Sequence, residues 1–131
     1  MPLPTGRVLL DPNTILQEAR LSSGMIYADF GSGTLGHFVL PAAHVVGPGT
    51  PVYAVDILKS ALEGVKGRAE LEQVSNVHTV WGDIEKIGGV NIPPESLDVI
   101  SMVNIASVIK KSPQVFEEAK RLLKSNGKIL V

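Results

Sequence analysis

Tyr27-Ala28-Asp29-Phe30-Gly31-Ser32-Gly33-Thr34-Leu35-Gly36 decides how this chain is read. Met25 to Phe30 reads as a short strand, and three glycines then follow within six residues. Glycine is a poor interior residue for either strand or helix, so Gly31 to Gly36 is a turn. His37 to Val46 behind it is largely apolar and fits a buried helix, in which Pro41 is tolerable if it lies in the first turn and otherwise makes a kink. Strand, glycine turn and helix in that order offer a ligand bare backbone and the free N–H groups of a helix start. Taken alone the turn is a weak signal, because a connection without a ligand has the same composition.

The pattern extends in both directions. Upstream, Asp11 can cap a helix beginning at Pro12, with Ile15, Leu16, Ala19 and Leu21 on its apolar face and Ser22-Ser23-Gly24 as its stop. Downstream, Pro51 to Asp56 reads as a second strand, Lys59 to Gln73 as a helix and Val77 to Trp81 as a third strand. Glu85 to Ser96 is a loop or short helix, and Leu97 to Val103 a fourth strand. A helix from about Pro113 to Lys124 follows, with Ser112 as its N-cap and Val115, Phe116, Ala119, Leu122 and Leu123 on its buried face. Asn126-Gly127 is a turn before a fifth strand at Lys128 to Val131. Strands alternating with helices imply a parallel sheet with right-handed crossovers. The expected fold is one α/β domain over residues 1–131, with residues 1–10 as a loose N-terminal segment. It is a three-layer, doubly wound, Rossmann-like sandwich of five mainly parallel strands in the order 3-2-1-4-5, with its site at the carboxyl ends of the strands.

Composition narrows the chemistry. The 131 residues suffice for one core, 44% of them are hydrophobic, and the formal net charge is −1. Such a chain has no bulk attraction to nucleic acid or to an anionic membrane, which favours a small-molecule substrate. It contains no cysteine, which removes disulfides, thiolate metal sites and cysteine nucleophiles. His37, His44 and His78 lack metal-ligand spacing, and neither a G-x-S-x-G elbow nor a G-x-x-x-x-G-K-[ST] loop occurs. The Pro-rich start does not resemble a secretory signal, and no apolar run is long enough to span a bilayer, so the cytoplasm is the expected compartment.

Two acidic residues single themselves out by position. Asp56 ends the second strand, where a carboxylate can accept hydrogen bonds from both hydroxyls of a ribose. Asp83 ends the third strand after Gly82, where it can accept from the exocyclic amine of adenine. One aspartate at a strand end is usually a solvated loop carboxylate. Two at successive strand ends, downstream of a glycine turn, point to a nucleoside.

Ala28-Asp29-Phe30-Gly31-Ser32-Gly33-Thr34 resembles the first motif of class I S-adenosylmethionine-dependent methyltransferases, an acidic residue followed by a G-x-G turn. Val52 to Ile57 resembles the second motif and Trp81-Gly82-Asp83-Ile84 the third. Leu97 to Ile100 is similar to the fourth strand, and Leu122 to Val131 to the stretch leading into the fifth. The likeness covers about residues 11 to 131 in the family's order, with a flavour of the subgroup that includes quinone-biosynthesis methyltransferases. It implies S-adenosyl-L-methionine as cofactor and methyl transfer as the reaction. It also implies that Gly31, Ser32 and Gly33 line the methionine part, with Asp29 ordering the turn or facing the amino group. Asp56 would hold the ribose hydroxyls, Ile57 would pack on the adenine, Asp83 and Ile84 would contact its edge, and Asn104 would lie near the methyl group. In-line methyl displacement needs no protein nucleophile, so no catalytic residue is assigned.

The sequence departs from the family in two ways. The family's third glycine falls where this chain has Leu35, and Gly36 comes one residue late. Family members also continue past the fifth strand with a helix and two more strands, so the domain reads as truncated. The strand edge left at Lys128–Val131 invites a homodimer. Two rival readings remain. Gly31-x-Gly33-x-x-Gly36 matches literally the fingerprint of an NAD(P)- or flavin-binding oxidoreductase domain. Against it, Asp29 puts a carboxylate where that fingerprint has an apolar residue beneath a pyrophosphate. The other rival is a non-catalytic module that keeps the fold.

Overall fold

The computed structural model describes residues 11–103 and 105–131, so the expectations for residues 1–10 and for Asn104 lie outside the described residues. Asp11 caps α1 (Pro12–Glu18): its carboxylate accepts the Asn13 N–H at 3.3 Å and the Thr14 hydroxyl at 2.8 Å. There follow β1 (Tyr27–Phe30), α2 (Val39–Val46), β2 (Val52–Asp56), α3 (Lys59–Leu71) and β3 (Val77–Trp81). The second half is β4 (Leu97–Ser101), α4 (Ala106–Lys111), α5 (Val115–Leu122) and β5 (Leu123–Leu130). Pro41 stands in the first turn of α2, where the helix loses no internal hydrogen bond to it.

All five strands are parallel, in the order β3-β2-β1-β4-β5 expected of the doubly wound fold. Every residue of β1 is buried, because successive side chains face different helical layers. Tyr27, with Val52, Ala54 and Val99, packs against Leu16, Ala42 and Val65 of α1, α2 and α3. Ala28 and Phe30, with Val55 and Ile100, pack against Val115, Ala119 and Leu122 of α5. Among the described residues no helix is long and apolar enough to cross a membrane.

Two local expectations are corrected. Ser112 does not cap α5. It closes the preceding helix, α4, which the sequence reading passed over, and its hydroxyl donates to Glu85 at 2.5 Å, while Gln114 takes the N-cap position without a side-chain bond. The fifth strand begins at Leu123 rather than Lys128. Leu123 is buried and pairs with Leu97, Val99 pairs with Lys128, and the expected turn at Asn126-Gly127 is absorbed as a bulge over residues 124–127. The β3–β4 connection forms no helix and crosses the sheet as loop, in keeping with Gly88-Gly89 and Pro93-Pro94.

The carbonyls at the end of α2, which the helix leaves without donors, are served from a distance. The buried Asn76 side-chain amide donates to Ala43 O at 3.0 Å and to Gly47 O and Thr50 O at 2.9 Å each. Asn76→Ala is expected to cost about 1–3 kcal/mol by taking this donor from Ala43 O and Thr50 O, while Gly47 O keeps the Thr50 N–H at 3.1 Å. The measurement is a lowered urea midpoint at unchanged slope; an unmoved midpoint refutes the assignment.

Candidate functional site

A cavity of about 310 Å³ opens at the carboxyl ends of β1, β2 and β3, lined by Gly31, Gly33, Asp56, Ile57, Asp83 and Ile84 among others. Six of the nine residues nominated from sequence thus meet at one place. Asp29 and Ser32 are buried outside its lining. The volume is at the low end of the range of about 300–1,000 Å³ for small-molecule sites. Glu85, Ile105 and Val108 also line it and were not nominated. Ile105, Val108 and Ile109 stand at helical spacing, the signal that could have revealed α4 as a wall.

The glycine turn is built by its backbone. Gly31 and Gly33 have φ of +74° and +70°, a conformation that side chains disfavour. A Cβ on Gly31 would collide with the Ile105 side chain, whereas one on Gly33 would meet nothing within 4 Å. The N–H groups of the turn itself are engaged, and the helix whose free N–H groups were expected behind it starts too far along the chain to present them here. The Gly31 and Ser32 N–H groups donate to Val55 O at 2.8 and 3.1 Å, and the Gly33 N–H donates to Asp56 Oδ2 at 3.1 Å. α2 begins only at Val39, so the glycine turn is not part of its first turn. Gly36 lies outside the cavity: a Cβ there would press on Leu40 at 3.3 Å, so it serves packing.

Asp56 is correspondingly half used. Oδ2 accepts from Gly33 and Oδ1 from the Leu58 N–H at 3.0 Å, which leaves each oxygen one further lone pair. Asp83 Oδ1 accepts the Glu85 N–H at 2.9 Å, and Oδ2 has no protein donor among the described residues. With Glu85, three carboxylates line the cavity. Such a lining favours a cation and repels an anion.

Asp29 sits beneath the turn. Ser101 Oγ donates to its Oδ1 at 2.6 Å, and the Tyr27 hydroxyl lies 2.5 Å from Ser101 Oγ. When Asp29 is ionised, the single Ser101 proton is committed to it, so Tyr27 donates to Ser101. Burial raises the Asp29 carboxyl to about 7; the Ser101 hydrogen bond opposes this, and the Asp56 charge adds to it. The Tyr27 hydroxyl is likewise held well above its ordinary value, by burial first and by Asp29 second.

A family model described as a methyltransferase domain matches residues 21–131. Human arsenite methyltransferase is 30% identical over 107 residues, covering 77% of this chain and 28% of that protein. A probable cobalt-precorrin-6B C(15)-methyltransferase (decarboxylating) of Sulfurisphaera tokodaii is 29% identical over 119 residues, covering 88% of this chain and 57% of that protein. Among solved structures, a SAM-dependent methyltransferase from Aquifex aeolicus superposes with a TM-score of 0.79 at 26% identity, over 92% of this chain and 63% of that one. The chain therefore spans 28% and 57% of the length of these two curated relatives.

Two predictions follow from the turn and the carboxyl beneath it. Gly31→Ala should destabilise more than Gly33→Ala, because both strain the backbone, at about 1–2 kcal/mol, but only the first also strikes Ile105; equal losses in denaturant titrations would contradict the packing. For Asp29, the raised carboxyl favours the folded state fully below its unfolded value near 3.8, and that contribution is lost as pH rises through about 7. Asp29→Asn removes the loss. The variant should gain stability over the parent between pH 5 and pH 8, by up to about 4 kcal/mol. A stability difference that does not vary with pH would show that Asp29 titrates normally.

Proposed function

The chain belongs to the methyltransferase-domain family, and on that premise we propose that the cavity binds S-adenosyl-L-methionine and that the domain serves the transfer of its methyl group. The observation that carries this reading is Asp56. Its two oxygens each keep one lone pair after holding Gly33 and Leu58, and two vicinal ribose hydroxyls are two donors. The remaining roles follow from position. Ile57 and Ile84 offer apolar surface to an adenine, and Asp83 Oδ2 offers an acceptor to its amine. Gly31 and Gly33 let the methionine portion approach bare backbone. Asp29 and Ser32, both buried, support the turn, and Asn104 keeps only the role near the methyl group that the family resemblance implies.

Bound there, S-adenosyl-L-methionine supplies a methyl group on a cationic sulfur, which an acceptor lone pair takes in line as the carbon–sulfur bond breaks to a neutral thioether. The residues of this chain contribute by holding the donor, orienting it and presenting carboxylates to its positive charge. A dinucleotide is the weaker candidate, because the Gly31, Ser32 and Gly33 N–H groups are spent on Val55 and Asp56, and three carboxylates face the cavity.

The acceptor is proposed as a small molecule, on the near-neutral net charge of −1. A thiophilic acceptor such as the arsenite of the human relative would find no thiolate on this stretch, which has no cysteine.

Calorimetry with S-adenosylhomocysteine and with NAD tests the reading. The thioether nucleoside should bind and NAD should not; the reverse result sinks it. Asp56→Ala should weaken the nucleoside by roughly 2–4 kcal/mol, about 30- to 1,000-fold, as two charge-assisted hydrogen bonds are lost.

A further inference from the structure

Behind the cavity, a buried carboxylate paired with a half-buried guanidinium grips the loop that carries Asp83. Glu118, on α5, has no exposed surface, and its carboxylate accepts four hydrogen bonds. Oε1 takes the Gly88 N–H at 2.7 Å and Arg121 Nε at 2.8 Å, while Oε2 takes the Val90 N–H at 2.9 Å and Arg121 Nη2 at 2.8 Å. Arg121 Nη2 also donates to Val90 O at 2.9 Å. The backbone of Val90 is thus met on both its donor and its acceptor, as a neighbouring strand would meet it. Burial alone would push the Glu118 carboxyl up; the Arg121 guanidinium and the two backbone N–H groups outweigh it and hold the carboxyl below its ordinary value.

The pair satisfies loop backbone groups that an apolar replacement would leave without partners. Its geometric consequence is more specific. The gripped segment closes on the cavity wall: Asp83 N–H donates to Gly89 O at 3.3 Å, and Gly89 N–H donates to Lys86 O at 2.8 Å. The contact is tight, for a Cβ on Gly82 would stand 2.6 Å from Gly89 O, and one on Gly89 would run into the Asp83 carbonyl. Gly89 lies between the two residues that Glu118 holds, so a shift there moves Gly82 and Asp83 with it. A second tie, the Ser112 hydroxyl on Glu85, fixes the same wall from the end of α4.

We propose that Glu118 and Arg121 are positioning residues for the base-binding wall, setting where Asp83, Ile84 and Glu85 stand and thereby how well the site tells adenine from a base without its exocyclic amine. The proposal rests on the cofactor reading above and extends it to a pair that does not line the cavity.

The test compares S-adenosylhomocysteine with S-inosylhomocysteine, which lacks the amine, by calorimetry on the full 131-residue chain. Fluorescence of Trp81, the only tryptophan, serves as a second readout beside Gly82; its indole N–H donates to Ile57 O at 2.8 Å, next to the cavity. The parent should prefer the adenosyl ligand by about tenfold or more. Glu118→Gln places an amide donor against a backbone N–H and should bring the preference to within about threefold. Arg121→Lys keeps the charge but loses the fork, and should lower the preference by about three- to fivefold. Asp56→Ala should weaken both ligands alike and leave the preference intact. If Glu118→Gln does not fold, Arg121→Lys decides. Variants that melt earlier yet keep the parental preference would show a merely structural pair and overturn the proposal, as would a parent that binds both ligands equally. A parent that ignores both ligands would overturn the cofactor reading, and this proposal with it.

Discussion

Phe30 pairs with Val55 in the parallel ladder between β1 and β2, and both strands end at the same edge of the sheet. That register is the constraint on which the site depends. It brings Val55 O within reach of the Gly31 and Ser32 N–H groups, and the Asp56 carboxylate within reach of Gly33. Asp56 in turn pairs with Trp81, so β3 ends beside β2 and delivers Gly82 and Asp83 to the same rim. A slip of one residue in either ladder would exchange the faces of a whole strand. Strands with both faces buried resist such a slip, because each residue of β1 already fills a place in one of two helical layers.

The electrostatics follow from the same convergence. Parallel strands that end together bring the carboxylates at their ends together, and Asp56 and Asp83 share one cavity with Glu85. Asp29, one strand over and buried, escapes part of the repulsion through its proton, its carboxyl being raised to about 7 by burial and further by Asp56. Hydrogen bonds from backbone N–H groups fix the exposed members without neutralising them. The result is a site whose fixed charge is negative and whose nearest backbone donors are already committed. That combination suits a cationic nucleoside and is adverse to a phosphate.

The parallel strands and the rim residues were legible because both depend on local pattern. Short apolar runs bounded by Gly, Pro or Asp mark the strands, and the residue that ends a strand necessarily stands at the rim, which is how Asp56 and Asp83 could be named. Reading letters without partners misled at the turn. The helix behind Gly31, Gly33 and Gly36 suggests free amide groups, yet it begins only at Val39, and the N–H groups of the turn itself are engaged by Val55 and Asp56, more than twenty residues away along the chain. Glu118 was hidden for a related reason. The amphipathic pattern assigns Val115, Ala119 and Leu122 to the buried face of α5, and a glutamate in that helix reads as solvated. Its burial is explained only by the backbone of residues 88 and 90, which no local pattern connects to it.

The charge at position 118 has a cause in the topology. The other crossovers of this sheet pass through helices, which satisfy their own backbone, but the β3–β4 connection is a loop that crosses under α5. The N–H and C=O groups of the buried Val90 leave solvent without a ladder to join, and an unsatisfied buried backbone group is costly. An apolar contact could cover that backbone but could not hydrogen-bond to it. A carboxylate with its own guanidinium supplies two acceptors and a donor in a planar, rigid arrangement, which also fixes direction. The loop that most lacks secondary structure therefore becomes the wall with the most sharply defined position, and that is the wall carrying Asp83.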